Sequence, residues 1–306
     1  MPSRQLKSAA FLIILLTGIY ASAADQSTFR SVTGPCNLEF PRDHGPHPGC
    51  RTEWWYYTGN IRSATGKRFG YQLTFFRTRI SPSGAESAWP KPASAWRTQQ
   101  IYMAHAAVSD IDGQRYLHAE ESSREALGLA GAFQSSGSTT VFVKTWFTQL
   151  NPEKHHLKMI SEDFSFELTQ IPLKSPVLHG RAGYSRKGKD PARASCYYSF
   201  TRLKTDGTLS LGKKTFAVEG TSWMDQEFST APLEPGITGW DWFGLQLSDQ
   251  TELMIYLLRK SDGIHHPASS GTCVEASGKT FHLTEDMLAL ETIDTWKSPR
   301  PNPLRS

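Results

Sequence analysis

Gly220-Thr-Ser-Trp-Met-Asp-Gln-Glu227, then Gly239-Trp-Asp-Trp-Phe-Gly-Leu-Gln-Leu247, then Glu252-Leu-Met-Ile-Tyr-Leu-Leu-Arg259 form the stretch whose reading decides the fold. Short aromatic and β-branched runs separated by turn residues read as strands. The stretch gathers Trp223, Trp240 and Trp242 around two carboxylates, Asp225 and Asp241. Indoles are costly to leave in water and carboxylates are costly in an apolar wall, so the combination predicts a lined pocket rather than plain core. A two-residue loop at Asp249-Gln250 sets Phe243 opposite Tyr256 and Asp241 opposite Leu258. In that register Asp241 and Tyr256 share a face as diagonal neighbours, among Phe243, Leu245, Met254 and Leu258. Trp240 then faces Arg259 as a cation–π pair. In extended backbone Asp225 shares a face with Trp223 and Thr221.

Working outward, Glu53–Gly59 and Phe69–Arg77 read as paired strands around a turn at Ala64-Thr-Gly-Lys67. Strict alternation puts Phe69, Tyr71, Leu73, Phe75 and Arg77 on one face, with Glu53 as the expected partner of the misplaced charge. Ser81–Thr98 is a long loop. Ile101, Met103 and His105 share the next strand face, ahead of a hairpin at Asp112-Gly113. Ser122–Gly131 is the one expected helical turn. Strands follow at Thr140–Thr148, His156–Ile160 and Phe164–Thr169. A basic glycine-containing loop, His179–Lys189, comes next; its Tyr184–Lys189 part reads as a solvated loop, with contact to an anionic headgroup as the alternative. Tyr197–Leu203 and Thr208–Leu211 flank an expected tight turn at Asp206-Gly207. Many short strands with almost no helix predict an all-β sandwich or barrel and exclude a parallel α/β fold.

The whole chain sets bounds on function. At 306 residues with 20% charged side chains it is an ordinary globular sequence, unusual only in its nine tryptophans. Arg4 and Lys7, an apolar run from Ala9 to Tyr20, then Ala21-Ser-Ala23 follow the order of a cleavable secretory signal over residues 1–23, so a secreted or periplasmic location is expected. Its loss takes two positive charges from the formal +4, too small a balance for nucleic acid. Of four cysteines, Cys36 and Cys50 flank one loop and are the expected pair, among three possible connectivities.

Four ordered motifs carry a family resemblance: Phe40-Pro-Arg-Asp-His-Gly-Pro-His47, Arg51-Thr-Glu-Trp-Trp-Tyr-Tyr-Thr-Gly59, Trp223-Met-Asp-Gln-Glu227 and Gly239–Leu247. They resemble the AttH family of exported lipocalin-like proteins, related to bacterial carotenoid 1,2-hydratase. The resemblance runs from about Glu39 to Trp296. It implies two consecutive calycin-type antiparallel β-barrel domains, a ligand site near the inter-domain region, and an apolar, isoprenoid or lipid-like ligand. The domains expected are a linker at 24–39, a first lipocalin-like domain at 40–222 and an incomplete second one at 223–306. The sequence departs from the family at Gln226, where a histidine or arginine commonly follows the tryptophan-x-aspartate.

The expected function is binding of an apolar small molecule, with association with a membrane export system as a further expectation. The alternative is a hydratase or isomerase that protonates an isoprenoid double bond. That chemistry needs a carboxylic acid kept protonated by an apolar wall, aromatic faces for the cation, and a placed water. Asp225 and Asp241 are the candidate acids, with Tyr256 or Gln226 to hold the water. The candidate ligand contacts are Trp55, Tyr57, Tyr71, Arg77, Trp223, Trp240, Trp242 and Gln246. Asp43, His44 and His47 have weak metal-ligand spacing; no metal or cofactor is expected. With no Gly-x-Ser-x-Gly elbow, serine hydrolysis has no support.

Overall fold

The computed structural model describes residues 29–82 and 84–295, so the expected secretory signal lies outside the described residues. The chain runs through β1 (Thr52–Ser63), β2 (Arg68–Arg79), β3 (Gln100–Asp110), β4 (Arg115–Arg124), β5 (Ala130–Ser135) and β6 (Ser138–Val143). It continues with β7 (Trp146–Leu150), β8 (His155–Ile160), β9 (Phe164–Pro172), β10 (Val177–Leu178), β11 (Tyr184–Arg186), β12 (Ala194–Leu211) and β13 (Lys214–Ser229). A second sheet holds β14 (Ile237–Gln246), β15 (Glu252–Lys260), β16 (Ser270–Val274) and β17 (Thr280–Thr284).

The first sheet is antiparallel in the order β4-β3-β2-β1-β13-β12-β9-β8-β7-β6-β5 and curls until it is a nearly closed barrel. Alternation builds it: on β1, Glu53, Trp55 and Tyr57 point in while Trp54 and Tyr56 point out. The interior is filled by Trp55, Tyr57, Phe69, Tyr71, Phe75, Trp146 and their neighbours, as in a small barrel packed solid with side chains. The second sheet is open, in the order β14-β15-β16-β17. It lies across the outer face of β12 and β13, burying Tyr197, Trp223, Met254, Tyr256 and Leu258 between the sheets. Covered on both faces, β12 and β13 read as continuous buried runs.

Several expectations change here. Asp206-Gly207 is no turn: β12 is one strand of 18 residues. A Cβ on Gly207 would strike the Glu167 carbonyl, and one on Gly220 that of Asn60; both glycines let neighbouring backbones close in. Thr140–Thr148 is two strands joined by a tight turn through Lys144, which takes a positive φ. Ser122–Gly131 is not helical; β4 runs to Arg124 and the turn uses positive φ at Leu127 and Gly128. Ile101 and Met103 sit on the barrel exterior, so the expected apolar face of His105 is an outward one. The change of sheet comes after Ser229, because β13 runs unbroken through Trp223. Cys36 bonds Cys196, not Cys50; the amide of Cys36 donates to Ala182 O, laying that segment beside β11 and β12, while Cys50 turns toward Arg30.

Candidate ligand-binding site

The site lies outside the barrel, in the groove where the second sheet crosses it. Strand register lays out its floor in rows. One row runs Phe76–Trp54–Glu227–Tyr197 and the next Thr74–Tyr56–Asp225–Ser199, each across β2, β1, β13 and β12. Trp240 and Trp242 of β14 overhang these rows. Trp242 meets Trp223 edge to face at 6.0 Å and Tyr56 at 5.5 Å. The result is a cavity of about 440 Å³ over Trp54, Tyr56, Phe76, Met103 and Asp225, flanked by one of about 230 Å³ that reaches Lys187, Leu233 and Tyr256. Trp54, Trp240, Trp242, Tyr197 and Glu227 line both.

Two carboxylates sit in this floor, two residues apart on one strand, and they are treated differently. Asp225 is 3% exposed. Its Oδ1 accepts from Trp223 Nε1 at 2.6 Å and from the Ser199 hydroxyl. Burial outweighs those bonds and pushes the carboxyl up to about 7, with the nearby Glu227 charge adding to the rise. Glu227 accepts from the Ser195 hydroxyl and pairs with Lys187 Nζ at 3.3 Å. Burial works against the Lys187 charge, yet Glu227 carries its pKa above the ordinary value. The ammonium also lies 3.7 Å from the centre of the Tyr256 ring. Near neutrality the groove therefore presents a carboxyl poised between its protonated and ionised forms, beside an ion pair.

Behind Asp225 runs a buried relay. Ser199 gives its one proton to Asp225, so its oxygen accepts from His179 Nε2–H at 2.6 Å, and His179 Nδ1 accepts from Thr272 at 2.9 Å. Burial takes His179 down to about 3, keeping the ring neutral. Ser199 stands between the acid and the histidine and is fully buried, so the trio lacks the exposed nucleophile that acyl transfer needs.

The expected site residues divide. Trp223, Trp240, Trp242, Asp225 and Tyr256 come together at the groove. Trp55, Tyr57 and Tyr71 instead fill the barrel; their neighbours Trp54 and Tyr56 take the groove face. Arg77 is wholly buried, with Nε 3.1 Å from Glu53 Oε2, as its position in an apolar row required. Gln246 spends its amide on the carbonyls of Thr201 and Ser222, pinning β14 to the barrel where β12 and β13 shift register. Asp241 lies on the far face of the second sheet in an ion pair with Arg259. The loop after β14 spans three residues, Ser248–Gln250, closed by Leu247 N to Thr251 O with Gln250 at positive φ, so Trp242 rather than Phe243 faces Tyr256. That one-residue slip reverses the whole strand.

Gln226 belongs to a second network, on the opposite, barrel-facing side of β13. It donates to Glu53 Oε1 at 2.9 Å and to Gly45 O at 3.1 Å, and accepts from Tyr198. His47 Nδ1 lies 2.7 Å from Glu53 and its ring stacks on Phe228, whereas His44 turns to the Tyr198 hydroxyl. Asp43, His44 and His47 thus close the barrel end as hydrogen-bond partners and do not converge on a common point. Gln226 shares no space with Asp225 and places no water in the groove. Lys187 and Glu227 were missed because forty positions separate them; the one signal was a lysine inside a loop read as solvated.

A packed antiparallel barrel with a second sheet laid over its outer wall defines a lipocalin-like all-β protein. The chain belongs to the AttH-like family, whose profile matches residues 31–304. It is similar to the structure of an AttH protein from Nitrosomonas europaea, at 32% identity over 89% of this chain and 80% of that one, with TM-score 0.77. It is also similar in fold to kievitone hydratase from Nectria haematococca, at 12% identity over 85% of this chain and 72% of that one, with TM-score 0.56. No curated protein sequence matches the chain significantly.

Proposed function

We propose that this protein binds an apolar, lipid- or isoprenoid-like small molecule in the groove between its two sheets. The observation that carries the reading is the indole pair over the groove: Trp242 is anchored through Nε1 to the Tyr197 hydroxyl at 3.0 Å, while Trp240 is left 54% exposed. An exposed tryptophan beside an aromatic cavity is a standing cost that an apolar ligand removes. The Cys36–Cys196 bond supports an oxidising compartment, and with it the exported location expected from the N-terminal sequence. Mass spectrometry of organic extracts of the purified protein tests the reading: a stoichiometric apolar compound supports it, and its absence together with failure to bind added isoprenols or fatty acids rejects it.

Asp225 favours a second reading, addition of water to an isoprenoid double bond. Its protonated carboxyl gives the proton to an alkene carbon, and the cation is flanked by the faces of Tyr56 and Trp242. Water then bonds to the cationic carbon and returns its surplus proton to Asp225, so the acid is regenerated. Kievitone hydratase is alike in fold only, and the reading rests on Asp225 itself. In the Asp225→Asn variant, turnover of an alkene ligand should vanish while binding persists. Equal turnover in both proteins would remove the enzyme reading and leave the binding one.

A further inference from the structure

Tyr256 separates the groove from a second, larger depression of about 540 Å³ on its other side. The segment Arg181–Arg193 carries five cations and one acid, Asp190. Two of the five are committed elsewhere. Lys187 turns into the groove to pair with Glu227, and Arg193 donates to the carbonyls of Pro232 and Leu233. The other three, Arg181, Arg186 and Lys189, line the depression, and among the described residues none has a carboxylate within ion-pair distance. Arg186 is braced by the carbonyls of Gly188 and Lys189, at 3.1 and 2.6 Å, which orient the guanidinium without neutralising it. Glu234, beside the depression, is engaged by the Lys189 amide at 2.8 Å and by His266 at 3.4 Å. Facing the cations are Ser270 and His282; of the lining residues only Glu285 is acidic.

Oriented, unpaired cations in a concavity are the arrangement that recognises carboxylate or phosphate oxygens. Tyr256 is the wall the two share: its ring lines the groove under Lys187, while its hydroxyl donates to the Arg186 carbonyl at 2.9 Å. We infer that the depression holds the anionic head, a carboxylate or phosphate, of an amphiphile whose apolar body lies in the groove. The inference rests on the proposed groove and adds the class of its ligand.

Farnesyl phosphate, farnesol and inorganic phosphate, titrated calorimetrically at low salt, separate the possibilities. Farnesyl phosphate should bind at least tenfold more tightly than farnesol, and the advantage should shrink in high salt. Arg186→Gln/Lys189→Gln should abolish the advantage and leave farnesol binding unchanged. Arg181→Gln, whose side chain makes no hydrogen bond among the described residues, should reduce it without touching the fold. Equal affinity for the two farnesyl compounds in the unaltered protein overturns the head-group site and leaves the groove standing. Binding of inorganic phosphate with neither farnesyl compound bound overturns both, and marks a site for a free anion.

Discussion

The indole N–H of Trp223 donates to Oδ1 of Asp225 at 2.6 Å, so the buried carboxyl of the groove carries a fluorescent reporter on its own strand. Protonation of Asp225 weakens that bond, and the Trp223 emission should change through a single transition near pH 7. The transition should disappear in Asp225→Asn. A pH-independent Trp223 signal in the unaltered protein would count against the groove acid.

The same shift sets a pH dependence of stability. A carboxyl raised from 3.8 to about 7 on folding binds its proton more tightly in the native state. Its contribution is complete below 3.8 and is lost as pH rises to about 7, on the order of 4 kcal/mol over the interval. Asp225→Asn lacks that loss while keeping an oxygen for Trp223 and Ser199. Thermal melts should therefore show the variant gaining on the unaltered protein between pH 4 and 7. A difference constant with pH would mean Asp225 is ionised throughout.

At the barrel end the signs are reversed. Burial opposes the Glu53 charge, but His47 and Arg77 together hold its carboxyl below the usual range, and hydrogen bonds from His47 and Arg42 do the same for Asp43. These contributions are present at neutral pH and are lost in acid. His47 is raised despite burial, by Glu53 and Asp43, so its share is full below its ordinary value of 6.5 and fades as pH climbs through the folded value. Arg77→Met removes one of the two cationic partners of buried Glu53, leaving His47, and should lower unfolding stability by about 3–5 kcal/mol in urea titrations at pH 7. A cost under about 1 kcal/mol would show that Glu53 does not depend on Arg77.

Non-reducing peptide mapping should find Cys36 joined to Cys196, with Cys50 and Cys273 as thiols. Cys36→Ser should cost about 2–5 kcal/mol, since the bond closes a long loop in the unfolded chain. Detection of a Cys36–Cys50 bond would contradict the path of the N-terminal segment.

Legibility followed the number of buried faces. The hairpin of β1 and β2 was readable because its in-facing row alternates cleanly, and Arg77 with Glu53 could be paired from that row. In Trp54-Trp55-Tyr56-Tyr57 both faces are aromatic, one feeding the barrel and the other the groove, so alternation alone does not tell which pair faces the ligand. Asp225 was legible because its extended strand fixes its face with Trp223. Asp241 was misplaced by one residue of loop length, which periodicity alone does not set. Asp206-Gly207 reads as a turn, yet Gly207 serves close approach of strands; composition does not separate those two uses. The Lys187–Glu227 pair needed the fold itself.

The central claim is that an apolar ligand lies under Trp240 and Trp242. A fatty acid brominated in mid-chain quenches nearby indoles, and its quenching of the unaltered protein can be compared with that of Trp240→Phe/Trp242→Phe. Saturable quenching that falls by more than half in the double variant is the predicted result. Quenching of equal depth in both proteins, or none at saturating ligand, would contradict it.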